Sequence, residues 1–221
     1  MKKRDVINTH DREASQYDQQ VRDYEYYVHD ILFGMCYEFI NENQYLLDIG
    51  IGTGLASLPF AKAGLQVYGF DGSTKMLKIC DSKSFARELK KHDILNPPYP
   101  YGDNFFDYVI SCSVFHFFGE LTSIFNDVNR IIKPNGIFAF TIGAPDTIDI
   151  KTKDGSNPEY MEKPTSWGEP IIVHYDSYIM RLLKGHNFEM IKIQKILIPD
   201  GEKGRDDNIL FKIYVARQSS N

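Results

Sequence analysis

Carboxylates and an imidazole recur at intervals along the middle of the chain. These residues are Asp48, Asp71, Asp93 and His116. A carboxylate accepts hydrogen bonds from hydroxyl and amino groups, and a histidine can exchange a proton near neutral pH. In an open α/β sheet, ligands bind in the crevice beside the carboxyl ends of the strands. If the apolar runs before these residues are parallel strands, the spacing predicts a polar binding site at one edge of a sheet.

The first of these acids opens a glycine-rich turn. An apolar run ends at Asp48, and glycines follow at alternate positions, Gly50, Gly52 and Gly54. Glycine lets the backbone turn tightly and approach a ligand where a Cβ would clash. A dinucleotide-binding turn reads G-x-G-x-x-G, but its third glycine position is Leu55 here, and no Gly-Lys-Ser/Thr of a phosphate-binding loop follows. The turn therefore indicates a nucleotide-like ligand of another class.

Strands and helices alternate around these residues. Apolar runs predict strands at 45–48, 65–71, 105–111, 137–142, 190–198 and 210–217. Helices are predicted at 23–42, 55–63, 74–79, 121–132 and 175–184, with Ser73 as the cap of the third. This alternation favours a mostly parallel, doubly wound α/β sheet whose last two strands pair antiparallel. Residues 1–22 carry a weaker helix signal, and residues 143–173 predict a long loop.

Size and composition exclude several classes of protein. A chain of 221 residues, 43% of them hydrophobic, fits one α/β domain with a substantial core. The net charge of −5 and the absence of a basic stripe argue against nucleic acid as a partner. No apolar run is long enough for a membrane span, and no signal peptide is apparent. Three scattered cysteines show no metal spacing and suggest reduced thiols, so we expect a cytoplasmic protein without a metal.

The ordered motifs resemble the class I S-adenosylmethionine-dependent methyltransferases, most closely the small-molecule enzymes of types 11 and 12. The resemblance covers residues 46 to about 142 and includes the turn Ile132-Lys-Pro-Asn-Gly136, where the family usually has Leu-Lys-Pro-Gly-Gly. It implies a Rossmann-like, seven-stranded sheet with an antiparallel final strand. It also implies that S-adenosylmethionine donates a methyl group by in-line displacement to a small molecule and leaves S-adenosylhomocysteine. A homodimer is compatible with the family.

Two sets of site residues follow from this resemblance. The cofactor set is Tyr17, Asp48, Gly50, Gly52, Gly54, Asp71, Gly72, Met76, Asp93, Ile94 and Ser111. Asp71 matches the family's ribose-binding acid and Asp93 its adenine-binding acid, although His92 or Ile94 could make the adenine contact through the backbone. Asp48 could instead orient the turn or a water molecule, and Met76 could belong to the core. The substrate set is Tyr24, His116, Trp167, His174 and Tyr175.

His116 is the candidate catalytic base, because it follows the strand predicted at 105–111, where the methyl group should meet its acceptor. It could equally be a packed residue of the pocket. Asn96-Pro-Pro-Tyr99 spells a tetrapeptide of enzymes that methylate amino groups. In those enzymes the tetrapeptide follows the family's fourth strand. Here it precedes the corresponding strand, predicted at 105–111, so a connecting loop is the better interpretation.

The resemblance also suggests how the chain is divided. We expect one methyltransferase domain over 1–221, with a helical cap at 1–44 and a cofactor-binding core at 45–142. A variable loop or lid would occupy 143–174, and a helix with a strand pair 175–221. Two alternatives stay open for function: a non-catalytic S-adenosylmethionine-binding module and an NAD-dependent oxidoreductase. A protein or RNA acceptor is a further option within the methyltransferases.

Overall fold

The computed structural model describes residues 3–145, 159–166, 169–199 and 208–219. The strands are β1 (Tyr45–Ile49), β2 (Gln66–Asp71), β3 (Ala86–Lys91), β4 (Phe106–Ser111), β5 (Ile132–Gly143), β6 (Tyr160–Lys163), β7 (Ile171–His174), β8 (Phe188–Pro199) and β9 (Asn208–Gln218). The α-helices are α1 (Lys3–Asp23), α2 (Val28–Cys36), α3 (Leu58–Lys62), α4 (Thr74–Ser82), α5 (Thr122–Ile131) and α6 (Asp176–Gly185). Short 3-10 helices cover Tyr37–Phe39 and Phe115–Phe117.

Seven of these strands form the predicted sheet. β3, β2, β1, β4 and β5 are neighbours in that order and are all parallel. β9 lies antiparallel beside β5, and β8 pairs antiparallel with β9. The mostly parallel sheet and the antiparallel pairing of the last two strands are thus confirmed. β3 had no predicted counterpart, because its sequence Ala-Arg-Glu-Leu-Lys-Lys lacks an apolar run.

Helices cover both faces of the sheet. Successive strand residues point to opposite faces, so Leu47 and Ile49 share one apolar cluster with α5 and α6. Leu46 faces the other cluster, which includes residues of α2, α3 and α4. Both clusters are fully buried at their centres, and this two-sided burial is what a doubly wound sheet requires.

The segment expected to be a loop at 143–174 contains two strands, so that prediction was wrong over 160–163 and 171–174. β7 pairs with β5 through Val173 and Gly143, and β6 pairs antiparallel with β7. Ile171 and Val173 are both buried and anchor the hairpin in the core. Each strand has only four residues, which is too short for a periodic pattern to emerge from the surrounding polar sequence.

The predicted helix over 23–42 also begins in the wrong place. α1 continues to Asp23, a turn follows, and α2 starts at Val28. Glu25 adopts a positive φ of 53° in this turn, and Tyr26 N donates to the carbonyl of Val21. The turn contains no glycine or proline, so the sequence offers no signal for the break. α1 packs against α4 and therefore crosses the edge of the sheet. Within the described ranges, no helix is both long and apolar enough to cross a membrane.

Candidate active site

A cavity lies at the carboxyl ends of β1, β2 and β4, beneath α1. One side, which we call the sheet half, consists of the glycine turn after β1 and the residues that follow β2 and β3. The other side, the cap half, consists of residues of α1 and α2, the turn between them, and the segment after β4. The crevice predicted from the strand ends is therefore present.

The glycine turn approaches the cavity with its backbone. Gly52 has a φ of 55°, and no atom lies within 4 Å of the position where a Cβ would stand. That open space faces the cavity, which Gly50 also lines. Gly54 does not line the cavity. A Cβ on Gly54 would stand 2.5 Å from Cζ of Phe85 and 2.8 Å from Sγ of Cys80. Its lack of a side chain lets the turn pack against α4 and the residue before β3.

Asp71 ends β2 and ties the two loops of the sheet half together. Its Oδ2 accepts a hydrogen bond from Gly52 N at 2.9 Å, and its Oδ1 accepts one from Ser73 N at 2.7 Å. Burial raises the pKa of Asp71, while these two N–H groups and the nearby His10 oppose the rise. A carboxylate has about four acceptor sites, so Asp71 can accept further hydrogen bonds from hydroxyl groups in the cavity.

Asp48 is the unusual acid of the site. It is only 1% exposed, and neither carboxylate oxygen has a hydrogen bond of standard geometry among the described residues. Burial raises its pKa from 3.8 to about 7, and the nearby Ser57 hydroxyl partly opposes that rise. A buried carboxylate without partners is costly, and a ligand that carries a positive charge or N–H donors would relieve that cost.

Most of the remaining members of the predicted cofactor set line the cavity. These residues are Tyr17, Gly72, Met76, Asp93 and Ile94. The Asp93 carboxylate accepts a hydrogen bond from Leu95 N at 3.0 Å, and Met76 is almost fully buried.

Ser111 does not line the cavity. Its hydroxyl donates to the carbonyl of Ile49 at 3.0 Å and joins β4 to β1. Because that side chain already has a partner inside the sheet, its position before the crevice gave a misleading signal.

The predicted substrate residues do not assemble at the cavity. His174 and Tyr175 lie beside the β6–β7 hairpin, where His174 Nε2 is 3.1 Å from the Gly119 carbonyl and Tyr175 OH donates to Met161 Sδ. Tyr24 is 43% exposed at the end of α1 and does not line the cavity. Trp167 lies outside the described residues.

His116 lies behind the cavity wall. It is buried against Phe117 and Phe211 and does not line the cavity. Burial, with a smaller effect of His10 and His174, lowers its pKa to about 3. A histidine that stays neutral and enclosed at pH 7 is a poor proton acceptor. The structure therefore supports a packing role for His116, which was the alternative interpretation of the sequence.

The cap half contains residues that the sequence did not single out, among them His10, His29, Tyr26, Phe117 and Phe118. The hydroxyls of Tyr26 and Ser113 share a hydrogen bond with an O–O distance of 2.7 Å. The position of His116 did point to the right segment, because its neighbours Phe117 and Phe118 line the cavity. His10 and His29 gave no local signal, since His10 lies on the polar helix α1 and His29 near the start of the apolar helix α2, both far from the motifs.

Two aspartates fasten α1 over the cavity. Asp11 accepts a hydrogen bond from the Ser73 hydroxyl, which itself accepts one from Met76 N as the cap of α4. Asp18 accepts hydrogen bonds from Thr53 Oγ1 at 2.6 Å and from Lys83 Nζ at 2.6 Å. The cap half is thus joined to the sheet half by side-chain contacts at two points along one helix. Within the described ranges, no group of three or more His, Cys, Asp or Glu residues could bind a metal ion.

Similarity to known proteins agrees with this geometry. Residues 47–140 match the family described as a methyltransferase domain. The probable S-adenosylmethionine-dependent methyltransferase CRG1 of Saccharomyces cerevisiae is 29% identical over 164 residues, which cover 67% of this chain and 55% of the relative. A ubiquinone biosynthesis O-methyltransferase of Pelagibacter ubique is 27% identical over 97 residues, which cover 43% of this chain and 40% of the relative. The chain thus spans about half the length of these relatives.

A solved structure shares the fold. The magnesium protoporphyrin IX methyltransferase of Synechocystis, crystallised with S-adenosylmethionine bound, superposes with a TM-score of 0.60 and 17% identity, covering 87% of this chain and 78% of that one.

The residues of the sheet half fit S-adenosylmethionine. The orphaned Asp48 carboxylate suits the ammonium group of its methionine part, and Asp71 retains acceptor sites for ribose hydroxyls. The space beside Gly52 lets the ligand approach the backbone. The matched family, the relatives and the shared fold together support a class I S-adenosylmethionine-dependent methyltransferase.

Proposed function

We propose that this protein transfers a methyl group from S-adenosylmethionine to a small-molecule acceptor. The observation that carries the proposal is the two-sided cavity, in which acids and a glycine turn face an apolar wall under α1. The sheet half suits a polar, cationic nucleotide. The cap half leaves room for a second, less polar molecule beside it.

We assign the cofactor contacts as follows. Asp71 accepts hydrogen bonds from the ribose hydroxyls, and Asp48 binds the ammonium group in its ionised form. Asp93, Ile94 and Met76 surround the adenine. These assignments are supported by the lining of the cavity and by the free acceptor sites of the two buried acids.

When bound, S-adenosylmethionine supplies a methyl group that is already electrophilic, because it is attached to a sulfonium. The protein therefore has to align the acceptor and exclude water, and alignment alone can contribute about 7–11 kcal/mol in favourable cases. Helix α1 supports this role. Its residues Tyr17 and Val21 line the cavity, and Asp11 and Asp18 fasten it to the sheet half.

A small-molecule acceptor is favoured by the chemistry of the cap half. Its wall is mainly apolar and aromatic, with hydroxyl and imidazole groups interspersed. The Pelagibacter relative, a ubiquinone biosynthesis O-methyltransferase, is also named for a small molecule. The three cysteines are free thiols, which supports a reducing compartment such as the cytoplasm. We assign the whole chain to one domain that serves this one site.

The non-catalytic module is the remaining alternative, since a cofactor site alone would satisfy the sheet half. The cap half argues against it, because its aromatic and imidazole groups line a part of the cavity that is not needed to bind the cofactor through the acids of the sheet half. The NAD-dependent alternative loses support because the relatives and the family that residues 47–140 match are methyltransferases.

Calorimetric titration with S-adenosylmethionine, S-adenosylhomocysteine and NADH tests the cofactor assignment. We expect binding of the two sulfur nucleotides only. Asp71→Ala should weaken that binding by about 10- to 100-fold, since hydrogen bonds to a charged group contribute about 1.5–3 kcal/mol. Asp81→Ala is the matched control, because Asp81 is an exposed acid on α4 that does not line the cavity. Unchanged affinity in a folded Asp71→Ala protein would refute the ribose assignment.

Transfer of labelled methyl groups to a panel of phenols, amines and thiols then tests catalysis. Formation of S-adenosylhomocysteine that depends on an acceptor would support the enzyme. Binding without any turnover across the panel would favour the non-catalytic module.

A further inference from the structure

Two histidines are the groups of the cap half that can take up a proton. Most of its lining is apolar or aromatic, including Ile7, Val21, Phe117 and Phe118. Among the described residues, no Lys, Arg, Asp or Glu lines this half, whereas His10 and His29 do. A methyl acceptor with an O–H or N–H group must lose its proton when it is methylated, so the site needs a proton acceptor.

The other hydrogen-bearing groups of the cap half retain their protons at neutral pH. Burial raises the pKa of the Cys112 thiol to about 12, and burial also raises the pKa of Tyr26 above its ordinary value. The Tyr26 hydroxyl is already paired with Ser113. These groups can donate hydrogen bonds to an acceptor molecule but cannot remove its proton.

His10 and His29 differ in their surroundings. His29 Nε2 lies 3.5 Å from Oδ2 of Asp30, so one of its ring nitrogens faces a carboxylate. Neither ring nitrogen of His10 has a hydrogen-bond partner among the described residues, and its ring packs edge-on against Phe117 with centroids 5.4 Å apart. His10 therefore presents an unengaged nitrogen at the wall formed after β4.

The groups around His10 place it between the two halves of the cavity. Asp71 of β2 is near enough to interact electrostatically with His10. His116 lies on the other side, and burial keeps it neutral at pH 7, so it adds no opposing charge. Asp11, the next residue of α1, is engaged by Ser73 and by Lys75 N. His10 thus lies between the acid assigned to the ribose and the aromatic wall of the cap half.

We propose that His10 is the residue that removes the proton from the methyl acceptor; this role rests on the proposed function. His10 takes the proton of the acceptor's O–H or N–H group while the acceptor atom bonds to the methyl carbon. The electron pair of the broken carbon–sulfur bond remains on sulfur, and the imidazolium later releases its proton to water. The base is therefore supplied by α1, and the residues after β4 provide the aromatic wall.

The test compares two ligands that differ by the sulfonium charge. Wild-type protein with isotope-labelled histidine is titrated with pH by NMR, once saturated with S-adenosylmethionine and once with S-adenosylhomocysteine. The positive charge of a sulfonium bound in the same cavity should move the midpoint of the His10 ring signals to lower pH by about one unit. His186 is the internal control, because it bonds to Leu182 and Asn126 away from the cavity and should titrate identically in both complexes.

His10→Gln identifies the His10 signals, and His10→Asn serves the same purpose if the first variant is unstable. If both ligands bind and the His10 midpoint is the same in both complexes, the proposal is overturned. It is equally overturned if His29 alone responds to the sulfonium. Failure of both ligands to bind would instead overturn the proposed function, and with it the role of His10.

Discussion

The two halves of the cavity are built in different ways. The sheet half consists of backbone turns between parallel strands, and Asp71 joins those turns through N–H groups of Gly52 and Ser73. In the cap half, α1 is attached through the side chains of Asp11 and Asp18. The sheet half is therefore part of the folded core, whereas α1 can be loosened without dismantling the sheet. Substitutions in the two halves should consequently differ in their effects on stability and on binding.

The largest expected effect concerns Asp48 in the sheet half. Its pKa of about 7 in the folded protein exceeds the ordinary 3.8. The folded state binds more protons than the unfolded state between these values, so the stability of the unliganded protein falls as pH rises from about 4 to about 7, by at most about 4 kcal/mol. Asp48→Asn removes this contribution.

Urea denaturation of wild-type and Asp48→Asn protein across that pH range measures the difference. The variant should gain stability relative to the wild type as pH rises, and other titrating groups cancel in the comparison. Affinity for S-adenosylmethionine should rise with pH through about 7 in the wild type only, because the ionised carboxylate binds the ammonium. Parallel stability curves for the two proteins would contradict the assignment.

The next effect concerns Gly54, also in the sheet half. Gly54→Ala places a Cβ against Phe85 and Cys80 at a residue with φ of 86°. We expect a loss of about 2–4 kcal/mol in the free energy of unfolding, from strain and overpacking together. Gly34→Ala in α2 is the control, because no atom lies within 4 Å of the added Cβ. It should raise stability by about 0.5–1 kcal/mol. Equal effects at both glycines would argue against the close packing at Gly54.

The smallest effect on stability is expected in the cap half. Asp18→Ala removes the contacts to Thr53 and Lys83 and should change the free energy of unfolding by at most about 1 kcal/mol. Affinity for S-adenosylhomocysteine should nevertheless fall several-fold, and amide hydrogen exchange in α1 should accelerate, because the helix is less firmly closed over the cavity. Asp23→Ala is the control, since Asp23 accepts only an exposed bond from Gln19. If hydrogen exchange in α1 accelerates without any loss of affinity, α1 does not contribute to the binding site.

Predictions succeeded where the signal was local. The glycine turn, the acid at the end of β2 and the Ser73 cap each depend on residues within a few positions of one another. Asn135 likewise adopts the left-handed conformation that its place in the Lys-Pro-Asn-Gly turn suggested, with φ of 67°, although that turn lies within the long strand β5. The Asn-Pro-Pro-Tyr tetrapeptide precedes β4, as its position in the sequence indicated.

Predictions failed where distant segments had to meet. Tyr24 and Tyr26 are two residues apart in a turn that no glycine or proline marks, and only the second reaches the cavity. The position of His10 was decided by how α1 packs against α4, and that of His116 by packing of the segment after β4 against Phe211 of β9. No periodic pattern in α1 identifies the residues against which it packs, because the helix is polar and its contacts are to residues more than thirty positions away.

The sequence by itself determined most strands of the central sheet, the class of cofactor and the acids at the strand ends, because these depend on short-range backbone chemistry repeated at strand ends. Only the tertiary structure decided which aromatic and imidazole side chains line the cavity. That choice depends on the docking of α1 and on the path of the chain after β4, both of which are set by packing between residues far apart in sequence.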